Sequence, residues 1–131
     1  MMRFEAKSLP AMPDVTAPDG SQVRILLALR GGSMAHFELS PGETSKAVMH
    51  RTVEEIWFFL SGLGEMWLQN EEQEQVLSVS AGVCLTIPLG TRFQFRACGS
   101  QALSAIAVTM PPWPGGEEAR TVEGKWPPTV S

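Results

Sequence analysis

Residues 42–62 read GETSKAVMHRTVEEIWFFLSG, and the run Ile56-Trp57-Phe58-Phe59-Leu60 within them decides the class of fold. Alternate side chains of a strand point to opposite sides of its sheet, and here both sets are large and apolar. Trp57 and Phe59 can line an interior. Ile56, Phe58 and Leu60 then need a second sheet or another subunit to cover them. Outward from this run, short β-rich segments recur at the spacing of an antiparallel all-β domain: 23–29, 34–39, 47–50, 55–60, 65–69, 75–79, 83–87, 92–96 and 103–109. Turn formers separate them, among them Gly31-Gly32, Pro41-Gly42, Gly62 with Gly64, Asn70, Gly82, Gly90 and Gly99. No window holds a helical apolar period without a glycine or proline interrupting it. Short strands joined by tight turns imply a sandwich or barrel.

The prolines bound this body. Pro10, Pro13 and Pro18 lie before it and Pro111, Pro112, Pro114, Pro127 and Pro128 after it, with only Pro41 and Pro88 between. Proline cannot donate to a strand ladder. The expected organisation is an N-terminal arm over 1–22, a barrel over 23–110 and a C-terminal arm containing Pro and Trp over 111–131.

The chain has 131 residues, 44% of them hydrophobic and 18% charged, which describes one ordinary globular domain able to build a core without disulfides. Its net charge of −4 argues against nucleic acid as a partner. The longest apolar stretch, 25–29, is far below a membrane span, and the N-terminus has no apolar run of leader length. A cytoplasmic protein with no membrane partner is expected. Of the two cysteines, Cys84 sits in an apolar run and is expected to be a buried, inert thiol, while Cys98 lies in a Cys-Gly-Ser turn. The acidic run 71–74 reads as a solvated loop, and Arg92, Gln94 and Arg96 interleaved with Phe93 and Phe95 as a half-buried strand.

Two spacings carry more specific information. The first is Gly42, five residues, Val48-Met49-His50, four residues, Glu55, six residues, Gly62; the second is Gly82, five residues, Pro88-Leu89-Gly90, two residues, Phe93, three residues, Ala97. This pattern resembles the two motifs of the cupin family, with every glycine, the proline and every interval in place across residues 42–97. The resemblance implies an all-β cupin-type double-stranded β-helix, a jelly-roll-like barrel, here with extended N- and C-terminal arms. It also implies a divalent transition metal (Zn, Fe, Mn or Ni) held by two histidines and a glutamate of the first motif and a histidine of the second. The matching positions are Val48, His50, Glu55 and Phe93, so two ligands survive and two are apolar side chains that coordinate nothing. A third ligand would have to come from His36, Gln94, Glu54 or Glu38.

If His50 and Glu55 point inward, strand parity places Val48, Trp57 and Phe59 on the same side, and an inward Phe93 brings Phe95 with it. The candidate ligand pocket is therefore His50, Glu55, Val48, Trp57, Phe59, Phe93 and Phe95. Such a site suits a small, mostly apolar molecule with a polar handle. Packed core is the competing reading of the aromatics, and a hydrogen-bonded His50–Glu55 pair that of the polar groups. Three functions stand side by side: a small-molecule binding barrel; a metal-dependent enzyme of the dioxygenase, isomerase or decarboxylase type, as the resemblance implies; and a structural barrel with a filled core. The two-faced apolar strand implies a homodimer. Trp113 and Trp126, among prolines, are expected to dock on the barrel, on a neighbouring subunit or across the pocket mouth.

Overall fold

The segments in which β-branched, aromatic and aliphatic residues alternate with polar ones form strands, and among the described residues there is no helix. The structure is a computed structural model that describes residues 3–130; Met1, Met2 and Ser131 of the two terminal segments lie outside them. In chain order the strands are β1 (Val15–Thr16), β2 (Gln22–Ala28), β3 (Ser33–Leu39), β4 (Val48–His50), β5 (Glu54–Ser61), β6 (Leu63–Gln69), β7 (Glu74–Ser80), β8 (Cys84–Ile87), β9 (Arg92–Ala97), β10 (Leu103–Met110) and β11 (Ala119–Thr121). They make two antiparallel sheets, one in the order β1-β2-β3-β10-β5-β8 and the other β11-β4-β9-β6-β7. All nine expected strands are present. Two short ones, β1 and β11, lie in the proline-rich stretches on either side, where each pairs with a single neighbour at the margin of its sheet.

Alternation along β5 sets the core. Glu55, Trp57 and Phe59 are buried between the sheets, and Ile56, Phe58 and Leu60 face outward at 46%, 47% and 41% exposure. The inner faces of the other strands supply Leu39, Val48, Met66, Phe93, Phe95 and Leu103 to the same cluster. Trp57 is its hub, stacked on Phe37 at 4.9 Å between ring centroids and edge-on to Phe95 at 5.1 Å.

The spacing glycines work through the backbone. Gly42, Gly62, Gly82 and Gly90 all have φ between 82° and 92°, a region that side chains disfavour. Gly62 is further constrained because a Cβ there would collide with the backbone of Ala102 and Leu103. Gly64, next on β6, leaves room for the Arg96 carbonyl and the Leu103 side chain.

Gln94 faces away from Phe93, as parity requires, yet it is buried beneath the C-terminal residues. Its amide nitrogen donates to the carbonyls of Ser45 and Trp126, both at 2.8 Å, and its amide oxygen accepts from the backbone N–H groups of Lys125 and Trp126, both at 3.0 Å. The Trp126 ring lies under the Arg96 guanidinium, 4.1 Å from ring centroid to the central carbon. One side chain thus fastens the C-terminal segment to β9. Gln94→Leu leaves these backbone groups without partners, at a cost of about 1–3 kcal/mol. A lowered Tm is expected, with earlier tryptic cleavage at Arg120 and Lys125 than in the parent protein.

One expectation is corrected. Cys84 is exposed rather than buried, as is Cys98, and both thiols are free. Along β8 Leu85 and Ile87 take the inward parity, and Cys84 stands across from Phe58 on the outer face.

Candidate functional site

His50 ends β4 and Glu55 lies at the start of β5, joined by a turn short enough to bring both side chains to one end of the barrel. Both are buried, with His50 Nδ1 and Glu55 Oε1 3.8 Å apart. That separation is too long for a hydrogen bond. Glu55 instead accepts from the Trp57 indole N–H at 3.0 Å and from the Thr109 hydroxyl at 2.5 Å. The expected His50–Glu55 hydrogen bond is therefore replaced by a carboxylate held from two other directions. Trp57 follows Glu55 by two residues and so shares its face; Thr109 stands directly across from Glu55 on β10.

This leaves His50 Nδ1 buried without any hydrogen-bond partner among the described residues. Its ring is enclosed by aromatic edges, Phe93 at 5.2 Å and Trp113 at 5.3 Å between centroids, both nearly perpendicular. Trp113 comes from the segment after β10, where its backbone N–H donates to the Ser33 hydroxyl at 2.9 Å, and it is 37% exposed. The same segment is tied down further along by Glu118. Burial pushes the Glu118 carboxyl up, but the Thr52 hydroxyl and the N–H groups of Thr52 and Val53 outweigh it and hold it below the usual carboxylate range. Val48, Trp57, Phe59, Phe93 and Phe95 are all buried in the cluster beneath.

The residues that could hold a metal do not make a metal centre. Val48 and Phe93 occupy the other two ligand positions at 1% exposure each, and no group of three His, Cys, Asp or Glu side chains among the described residues could hold an ion. Of the candidate third ligands, Gln94 is committed to the C-terminal segment. His36 and Glu38 point to the outer face of the larger sheet, across from Ile106 and Ser104 on β10. There they line a surface cavity of about 370 Å³ with Arg24, whose guanidinium donates to Glu38 at 2.7 Å and to the carbonyl of Pro10 at 2.8 Å. Burial, with the Arg24 charge beside it, holds His36 below the usual imidazole value. Glu54 is exposed.

The scan of family models matches a cupin domain over residues 35–109, more than half of the chain. The chain belongs to the cupin family. Solved structures share the fold of this cupin at low identity. An uncharacterised conserved protein with a double-stranded β-helix domain from Klebsiella pneumoniae superimposes with a TM-score of 0.70 at 15% identity, covering 93% of this chain and 100% of that one. The capsular polysaccharide assembling protein CapF from Staphylococcus aureus gives 0.69 at 17% identity over 89% of this chain, which spans 33% of CapF. An oxalate oxidase in complex with glycolate gives 0.66 at 20% identity over 82% of this chain and 58% of that one. No curated protein matches the chain in sequence. No helix among the described residues is long and apolar enough to cross a membrane.

Asp19 escaped the sequence reading because an Asp-Gly-Ser triplet looks like any exposed turn. It is buried, and its Oδ1 accepts from the backbone N–H of Ser21 at 2.9 Å and from the Ser21 hydroxyl. Burial pushes its pKa up; the Ser21 hydrogen bonds oppose this, and the Glu55 charge adds to it. A carboxyl raised on folding contributes most stability below its unfolded pKa and loses it as pH rises through the folded value. Asp19→Asn keeps the Oδ1 acceptor without the charge. Its Tm should exceed that of the parent by a few degrees at neutral pH, the gap closing as pH falls toward about 4; a gap that widens on acidification contradicts this.

Proposed function

We propose that this cupin binds a small organic molecule at the His50 end of its barrel, with a polar group on His50 Nδ1 and an apolar body against Phe93 and Trp113. The observation behind this reading is the unpartnered ring nitrogen, buried 3.8 Å from a carboxylate that is itself satisfied. A buried polar atom without a partner costs about 1–3 kcal/mol, and a ligand group that completes it recovers that cost on binding. Trp113 is the part of the enclosure that must yield, since Phe93 is packed inside β9.

The chain's two histidines make the test direct. In a His36→Gln background the remaining imidazole resonances belong to His50. A panel of small acids, alcohols and phenols, starting with glycolate, should include compounds that shift those resonances saturably, with binding lost in His50→Ala and faster exchange in Trp113→Ala. Elemental analysis of the same preparation reads metal content. Stoichiometric metal that His50→Ala releases, or a panel in which nothing moves His50, overturns the metal-free binding site.

We also infer that two copies associate through the outer face of the larger sheet. Ile56, Phe58 and Leu60 are joined there by Met34, and Met34 and Ile56 flank Val108 in the strand register. Arg24 and Lys7 hold N-terminal residues along β2. Sedimentation should find a dimer, and Phe58→Glu should give a folded monomer; a monomeric parent protein overturns the inference.

A further inference from the structure

A second site lies where the two sheets part. β7 is the last strand of one sheet and β8 the last of the other, and between them opens a cavity of about 310 Å³. Leu77 and Leu85 form part of its apolar wall, and the amides of Gln69, Asn70, Gln73 and Gln75 surround it. Among the described residues no charged side chain lines it. The nearby Glu74 is engaged elsewhere, accepting from the Trp67 indole at 2.7 Å.

The amides are only partly used. Asn70 Oδ1 accepts from the backbone N–H groups of Glu72 and Gln73, and Gln73 Oε1 accepts from Gln75 Nε2 at 3.1 Å. These bonds leave the Asn70 and Gln73 NH₂ groups as donors and the Gln75 carbonyl as an acceptor. Gln69 makes no side-chain hydrogen bond within the protein among the described residues. Thr91, in the turn after Pro88, also lines the cavity, and its hydroxyl is buried with no partner. The register that pairs Val48 with Phe93 and Met49 with Arg92 brings Thr91 across from His50, so the two unpartnered buried atoms lie at the same end of the barrel.

We propose that this crevice binds a neutral, polyhydroxylated molecule of monosaccharide size. Each hydroxyl of such a molecule both donates and accepts, matching the mixed amide set and the Thr91 hydroxyl, while a ring face can lie on the leucines. A charged ligand would leave water without a counter-charge to meet it. The site shares no lining residue with the His50 enclosure and stands independently of the function proposed there.

The test follows side-chain amide resonances of the ¹⁵N-labelled protein during titration with glucose, N-acetylglucosamine and myo-inositol, and with glucuronate and glucosamine as charged counterparts. At least one neutral compound should give saturable millimolar shifts at Gln69, Asn70, Gln73 and Gln75. Gln75→Leu should weaken that binding by about tenfold, the loss of one hydrogen bond. Thr91→Val removes a buried hydroxyl without changing volume, so it should weaken binding while leaving Tm unchanged or raised. His50→Ala should leave crevice binding intact, which separates failure here from failure of the other site. Absence of saturable shifts with every neutral compound, or equal binding of glucuronate, overturns the proposal.

Discussion

The two-residue repeat of β5 is the constraint on which the molecule depends. It aims Glu55, Trp57 and Phe59 into the space between the sheets and Ile56, Phe58 and Leu60 out of it, and the neighbours β10 and β8 follow in register. A slip of one residue would put a carboxylate on the outside and three aliphatic or aromatic groups where Trp57 now packs. Glu55 is tolerable in the interior because the same repeat brings the Trp57 indole to it, and the β10 pairing brings the Thr109 hydroxyl. Position, solvation and core packing are thus decided together by one strand.

Two side chains satisfy what the strands leave open. Gln94 gives the C-terminal segment three hydrogen bonds and the Ser45 carbonyl a fourth, and Glu118 takes the donors of the Thr52–Val53 turn. Between these anchor points and β10 runs the stretch that carries Trp113 over His50. The enclosure around the imidazole therefore depends on attachments that lie outside it.

How far the sequence could be read follows from the range of each interaction. Parity is local, so spacing showed which residues share a face (Val48 with His50, Glu55 with Trp57 and Phe59, Phe93 with Phe95), while that this face is the inner one followed only from the motif resemblance. Pairings between distant strands were not. Thr109 meets Glu55, and Phe93 meets Val48, only through registers that no local pattern encodes. The same limit explains Cys84, whose apolar neighbours gave no sign that it lay on the open side of an edge strand, and Asp19, whose burial arises from chain segments far from it in sequence. His36 sits among apolar residues with no parity marker, and only the sheet order shows that it faces outward.

Gly64 has a further consequence. The Arg96 carbonyl and Leu103 fill the space a side chain would need there. Arg96 belongs to β9 of one sheet and Leu103 to β10 of the other, so a single added carbon there would strain both sheets at once.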